Sequence, residues 1–440
     1  MSVFARGKAS RSLTRKATLG GLAVLGVSAL ILSGCASTDE GTGGNGAESP
    51  SASDALDIAS GERDLTLKIG TLLPQTGGLA FLGPPEEAGV ALAAKEINEA
   101  GLGIQVEVVY GDSGDPDNKA YATTVPNLLG QNVSAIIGAA ASGVSKLVID
   151  QITAAGVVQF SPANTSPDFT SWDDNNLYWR TAPSDLLQGE VLGNLIADDG
   201  ASTLGMIVLN DAYGTGLQKV TKETFEAAGG TVVAEEMFNT GDTNFSAQVS
   251  AVVAEDPDAI ALITFDEIYT IAPELANAGF DMSKVYLVDG NLKQFGDDLP
   301  AGTITGAKGT TPGPVLEDDF EQRLSDVYQS PVLGGTEPLS DFSYAAESYD
   351  AVILLALAAY AANSVEGTDI AKYLRQVSGG TGDGEKATDF KSAATILADG
   401  AQVDYDGYSG GVKFDEHGDP TEATIGIFQY GEDNLHKRIN

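Results

Sequence analysis

The sequence predicts an α/β protein made of two doubly wound parallel-sheet domains facing each other across a cleft. Three observations carry that expectation. Between Leu65 and Val288, short apolar runs alternate with amphipathic stretches of helix length, as βαβ units require. These units are too many for one sheet of ordinary size, and 440 residues can bury two cores. After Thr310–Pro314 the chain turns helical, notably over Tyr344–Asn363, as if it returned to cover the first sheet.

The first strand begins at Leu65 and breaks at Leu73–Gly78. Pro84 and Pro85 followed by Glu86 and Glu87 mark a helix start, since proline suits a first turn and acids suit the positive end of the dipole. Val90, Ala94 and Ile97 share a face of that helix, and Gly101 ends it. An alternating strand over 104–110 leads through Gly111–Pro116 into a helix that Pro126 should kink or divide.

Ile136 and Ile137 close the next strand, and Gly138, Ala139, Ala140, Ala141 and Ser142 bring bare backbone to its carboxyl end. A helix from about Gly143 to Ala155 follows, with Val144, Leu147, Val148 and Ile152 as its predicted buried face. Val157, Val158 and Phe160 form a strand that opens into Ser161–Ser166. Ligands in open α/β sheets bind beyond the carboxyl ends of strands. These two loops offer N–H groups and a helix N-terminus to an anion. The same residues would also serve plain tight turns; the pairing of two such loops favours a site.

A second series repeats the pattern: strand 204–209, the loop Asn210–Gly214, and a helix ending near Gly229. Strand 231–235, helix 244–254, strand 259–265, helix 268–278 and strand Val285–Val288 complete it. Two late strands are expected at Gly411–Phe414 and Ile425–Tyr430.

Composition excludes several functions. Against 24 Lys and Arg stand 62 Asp and Glu, a formal net charge of −38, which repels nucleic acid and anionic membrane. Hydrophobic content of 42% and charged content of 20% are those of a folded chain. Two histidines, His417 and His436, and a single cysteine, Cys35, make no zinc set. Gly407–Gly411 (GYSGG) meets the G-x-S-x-G spacing without the strand before it and the helix after it that a nucleophile elbow needs. Gly41, Gly43 and Gly46 have dinucleotide-loop spacing but no flanking strand and helix. No phosphate-binding P-loop occurs, and Asp112–Asp117 lacks the spacing of a calcium loop. No metal or cofactor is expected, and the chain is unlike an enzyme.

Arg6, Lys8, Arg11, Arg15 and Lys16 precede an apolar core, Leu19–Leu32, too short to span a bilayer comfortably. Leu32–Cys35 (LSGC) resembles the bacterial lipobox, which implies cleavage of residues 1–34, lipidation of Cys35 and an extracytoplasmic, lipid-anchored protein. Losing five basic residues takes the charge from −38 to −43. Residues 35–64, rich in Gly, Ser, Thr and Ala, read as a flexible tether.

From about residue 65 to 430 the chain resembles the leucine/isoleucine/valine-binding family of type I periplasmic binding proteins, the substrate-binding subunits of branched-chain amino-acid ABC transporters. The matching segments are Lys68–Pro74 (KIGTLLP), Gly89–Ala93 with Glu96–Asn98, and Ser161–Pro167 (SPANTSP). Trp179–Gly189, Asp211–Leu217 (DAYGTGL), Thr243–Ser246 and Ser343–Val352 (SYAAESYDAV) extend the match.

The resemblance implies a small-molecule ligand, an amino acid, held between two lobes that close on it. Ser142, backbone groups of Ala140 and Ala163, and the Thr165 side chain would hold its carboxylate. Asp289 would hold its ammonium, Tyr213 would lie over it, and Leu82 would border the side-chain pocket, with Phe265 a weaker candidate. It also implies a three-strand hinge with crossings near Ala182–Pro183, Thr310–Pro312 and Tyr408–Gly410. Lobe 1 is then 65–182 with 312–408, and lobe 2 is 183–311 with 409–440. The partners implied are an ABC permease and no nucleic acid, for a monomer touching membrane only through its lipid. Receptors for short amides, urea or other small carboxylates, and a sensor for a signalling partner, stay open as alternatives.

Overall fold

The computed structural model describes residues 55–382 and 384–440. Cys35, the leader 1–34 and most of the tether lie outside the described residues. The tether's expected end is too late. From Leu56 the chain is docked: Leu56 N donates to Gln376 Oε1 at 2.8 Å and Ala59 N to the Ala361 carbonyl at 2.8 Å. Arg63 Nε donates to the Tyr360 carbonyl at 2.9 Å.

The first series runs β1 (Leu65–Leu72), α1 (Gly83–Ala100), β2 (Ile104–Val109), α2 (Tyr121–Gly130), β3 (Ala135–Gly138), α3 (Ser142–Ala154), β4 (Val158–Ser161) and β5 (Tyr178–Arg180). Its strands form one parallel sheet, ordered β2-β1-β3-β4-β5. Both faces of this sheet are buried. Ile136 packs on one side, while Ala135, Ile137, Val158 and Phe160 pack on the other, as continuous apolar strand runs demand.

The second series runs α4 (Asp185–Asp198), β6 (Thr203–Leu209), α5 (Ala212–Ala227), β7 (Thr231–Phe238), α6 (Ser246–Ala254), β8 (Ala259–Ile263), α7 (Ile268–Asn277), β9 (Val285–Val288) and β10 (Lys308–Pro312). Then follow α8 (Asp318–Tyr328), α9 (Ala345–Ala362), α10 (Gly367–Val377), β11 (Glu385–Ala387), α11 (Phe390–Ala398), β12 (Val403–Gly407), β13 (Gly410–Gly411), β14 (Ile425–Tyr430) and β15 (His436–Arg438). The second sheet is ordered β15-β14-β10-β9-β8-β6-β7, parallel except that β14 runs antiparallel to both β10 and β15. A small third sheet joins β11, β12 and β13.

The late helices do return to the first sheet. α9 is buried along almost its whole length and is packed by α1, α10 and α11, the state expected of a helix apolar all round. Among the described residues it is the one helix long and apolar enough to cross a bilayer, and 94% of it is buried inside the protein. Its contact with α1 is tight: a Cβ on Gly89 would come 2.2 Å from the Ala345 carbonyl oxygen.

Three local expectations change. Leu147 is 57% exposed. At about 100° per residue it falls off the stripe that Val144, Val148 and Ile152 define, and Ser145 and Ile149 fill that face instead. Pro126 sits inside an undivided α2. Gly411–Phe414 is no strand of the second sheet. Val412 and Phe414 pack into the first sheet's core, with Phe414 edge-on to Phe160 at 5.8 Å and to Trp179 at 5.2 Å.

The same segment moves the third crossing. Tyr408, expected at that crossing, stacks on Phe320 at 3.8 Å. Asp419 takes a bidentate ion pair from Arg180 of β5, at 2.6 Å from Nε and 2.8 Å from Nη2. The chain therefore passes to the second sheet between Pro420 and Ile425, not at Tyr408–Gly410. A glycine-rich turn looks like a crossing in sequence; the buried ion pair shows where the chain is held.

Candidate ligand-binding site

Between the carboxyl ends of the two sheets lies a tightly closed cavity of ≈ 10 Å³, room for about one water. Leu79, Leu82, Ala140, Ala141, Ser142 and Ala163 line it from the first-sheet side. Tyr213, Phe265, Asp289 and Gly290 face them from the second, and Tyr344 closes the gap.

The first wall is two strand-end loops stitched into one surface. Ser161 Oγ donates to the Ala139 carbonyl at 2.7 Å, and Asn164 Nδ2 donates to the Ala140 carbonyl at 2.7 Å. Ser166 N donates to Ser142 Oγ at 3.4 Å, where Ser142 opens α3. Arg180, fully buried, donates from Nη1 to the carbonyls of Ser166 at 2.8 Å and Asn164 at 3.3 Å. Its charge is matched by Asp419, so the guanidinium braces the loop without presenting a free cation.

Ser142, Ala140 and Ala163 thus line the cavity, and Leu82 is 2% exposed beside Leu79 as an aliphatic wall. Thr165 does not line the cavity. It is buried behind it, with its hydroxyl unpartnered and its carbonyl accepting from Asp185 N at 2.7 Å. A threonine in a hydroxyl-rich loop gives no sign in sequence of which way it turns.

The second wall is made of side chains. Asp289 follows β9 and is 5% exposed. Its Oδ1 accepts from Tyr213 Oη at 2.7 Å and Gln188 Nε2 at 3.0 Å, and its Oδ2 from Tyr344 Oη at 2.7 Å. A carboxylate offers about four acceptor positions, so about one remains for a donor arriving from the cavity. Burial pushes the Asp289 carboxyl up, and the donors from Tyr344, Tyr213 and Gln188 pull it back down. Burial and the nearby Asp289 charge push both tyrosine hydroxyls well up, so they stay protonated donors.

Tyr213 lies in the first turn of α5, 3% exposed, with its ring stacked on Phe265 at 5.4 Å. Phe265, the weaker candidate, is thus part of the wall. Sequence reasoning missed three residues here. Tyr344 precedes α9 with φ +60°, a backbone state rare for aromatic residues and found where surroundings impose it. Gln188 reaches Asp289 from α4. Asp185 begins α4 with both carboxylate oxygens buried and unpartnered; burial first, then Asp289, holds its carboxyl well above the usual range. The motifs 179–189 and 343–352 contain all three, but their meeting depends on the chain path.

Polar backbone and a helix start on one side thus face a buried acid flanked by aromatic rings on the other. Residues 66–421 match the family model for periplasmic binding proteins. The chain belongs to that family, a solute-binding class that works outside the cytoplasm, and the resemblance seen in the sequence holds. The leucine-, isoleucine-, valine-, threonine- and alanine-binding protein of Pseudomonas aeruginosa is 26% identical over 382 residues, covering 85% of this chain and 92% of that protein. A chemotactic signal transduction system substrate-binding protein of Halobacterium salinarum is 25% identical, covering 78% of this chain and 82% of that one. The branched-chain amino acid transporter substrate-binding protein of Streptococcus pneumoniae, solved with isoleucine, superposes with a TM-score of 0.66 at 24% identity. That match covers 85% of this chain and 99% of that one, and it bears on fold alone.

Proposed function

We propose that this protein is the lipid-anchored, extracytoplasmic solute-binding component of an ABC importer, and that its ligand is a small α-amino acid with an aliphatic side chain. The observation that carries the ligand class is Asp289: a buried carboxylate with about one acceptor position left, facing neutral donors across a narrow cavity. The ammonium belongs on Asp289, and the carboxylate belongs on Ser142 with the backbone of the 139–142 and 161–166 loops. Leu79 and Leu82 take the side chain. The name of the Pseudomonas relative supports this reading.

In this reading residues 65–182 and 312 to about 422 form one lobe, and 183–311 with the remainder form the other. A ligand touching both favours the closed arrangement by its differential affinity for it. Lipidation at Cys35 holds the protein at the membrane, where a permease reads the closed form. A second reading, presentation to a signalling receptor, draws on the chemotactic relative.

A thermal-shift screen over aliphatic amino acids, matched amides and matched carboxylic acids tests the ligand. A true ligand at 100 times its Kd adds about 2.7 kcal/mol. Stabilisation by amides or simple acids, with none by amino acids, would sink the amino-acid reading. Mapping the mature N-terminus to any residue other than Cys35 would sink the anchor.

A further inference from the structure

A second and larger cavity, ≈ 250 Å³, lies behind the cleft against the segment that leaves β10. Pro312–Leu316 forms its rim. Phe428, His436 and Arg438 of β14 and β15 wall it on one side, and Phe342 with Glu347 of α9 wall it on the other. An occupant would therefore touch elements of both sheets. Tyr344 is the partition: it lines this cavity too, while its hydroxyl is spent on Asp289 in the cleft.

The chemistry of the cavity centres on Glu347. That residue is 4% exposed, and its carboxylate lines the cavity. No side chain and no backbone N–H of another described residue donates to it. Its Oε1 lies beside the hinge, 3.4 Å from where a side chain on Gly313 would begin. Arg438 does not neutralise it: its Nη1 donates to the Gly313 carbonyl at 3.0 Å, and its guanidinium lies over Phe428 at 5.9 Å. An unpaired buried acid on an aromatic-walled cavity calls for a cation with an apolar body.

We propose that this hinge cavity is a second binding site, separate from the cleft, for a small primary ammonium ligand with an apolar or aromatic body. The ammonium sits on Glu347 and the body lies between Phe342 and Phe428.

The charge state of Glu347 fits this role. Burial first, then Asp350 on the same helix, pushes its carboxyl up to about 8. Glu86 of α1, near Glu347, is held well above the usual carboxylate range by burial first and so stays protonated, and Glu321, Asp341, His436 and Arg438 face Glu347 across the cavity. At neutral pH the empty site is mostly protonated, so an ammonium must displace a proton, and affinity should rise between pH 6 and 9.

Calorimetric titration of the full chain with benzylamine, benzyl alcohol and benzoate tests the proposal. One molecule of benzylamine should bind, at least tenfold more tightly than either control, with proton release at pH 7. Glu347→Gln should weaken benzylamine at least tenfold. Val315→Arg, which places a cation on the 73%-exposed rim and leaves the core untouched, should weaken it as well. Asp289→Ala should leave it within threefold of the parent, because the cleft acid takes no part. Undiminished binding to Glu347→Gln or to Val315→Arg overturns the proposal. So does loss of binding in Asp289→Ala, which would put the amine in the cleft, or no binding by the parent.

Discussion

The two walls of the cleft solve the same problem with different materials. The first-sheet wall is backbone and small side chains, locked by Ser161, Asn164 and Arg180 into a surface whose donors are fixed by the fold. The second-sheet wall is a carboxylate whose state depends on three side-chain donors and on a second acid, Asp185. The difference teaches where each wall is vulnerable. The first should fail by losing its shape, the second by losing its charge balance.

Arg180→Ala should have the largest effect. It strands Asp419 and frees the 161–166 loop, and breaking a buried ion pair costs about 3–5 kcal/mol. Urea unfolding should show that loss in the absence of any ligand. A drop below about 1 kcal/mol would mean that the loops support themselves and that the first wall needs no brace.

Asp289→Ala should spare shape and remove charge. Leucine affinity should fall at least tenfold, in line with about 1.5–3 kcal/mol for a hydrogen bond to a charged group, while 4-methylpentanoate, which lacks the ammonium, should change little. Equal losses for both ligands would break the comparison, because the second wall would then be acting through shape as well.

Tyr344→Phe removes one of the three donors and keeps the ring. Amino-acid affinity should weaken by roughly three- to tenfold, about 0.5–1.5 kcal/mol, in calorimetric titration. An unchanged affinity would show that Tyr213 and Gln188 suffice to hold the carboxylate.

Asp185→Asn should have the smallest effect on binding and a sign that depends on pH. The Asp185 carboxyl is raised in the folded protein by burial and by Asp289, with Arg180 lowering it and Asp211 raising it further. Its stability contribution is therefore complete below the unfolded value, near 3.9, and is lost as pH rises toward the folded one. The asparagine variant should gain stability relative to the parent between pH 5 and pH 8. A constant difference across that window would show that Asp185 ionises normally.

The contrast between the walls is also a contrast in legibility. The strand-end loops at 138–142 and 161–166 could be read because each is local: an apolar strand, then small residues, then a helix or turn. Asp289 directly follows β9 and Tyr213 opens the helix after β6, so both read as positions at strand ends. Tyr344, Gln188 and Asp185 sit on elements whose distance from the cleft is set by the return of the late helices, and Tyr344 carries no glycine or asparagine to announce its positive φ. Leu147 was misjudged because one apolar residue too many was given to a stripe that Ser145 fills. The last crossing was misplaced because no local pattern marks Asp419 as the partner of Arg180.

That partnership has a consequence for how the chain comes to be folded at all. Arg180 and Asp419 are 239 positions apart, and everything between them, including most of the second sheet, is synthesised before they can meet. The half that is made first thus waits for most of the second half before it can be finished, and until then Arg180 has no counterion. Order of assembly cannot follow order of synthesis, and contacts of such long separation slow folding. A chain ended at Tyr408 would contain every loop of the cleft yet lack the acid that holds one of them. It should accumulate as a partly formed first half beside an incomplete second, degraded rather than secreted in working form.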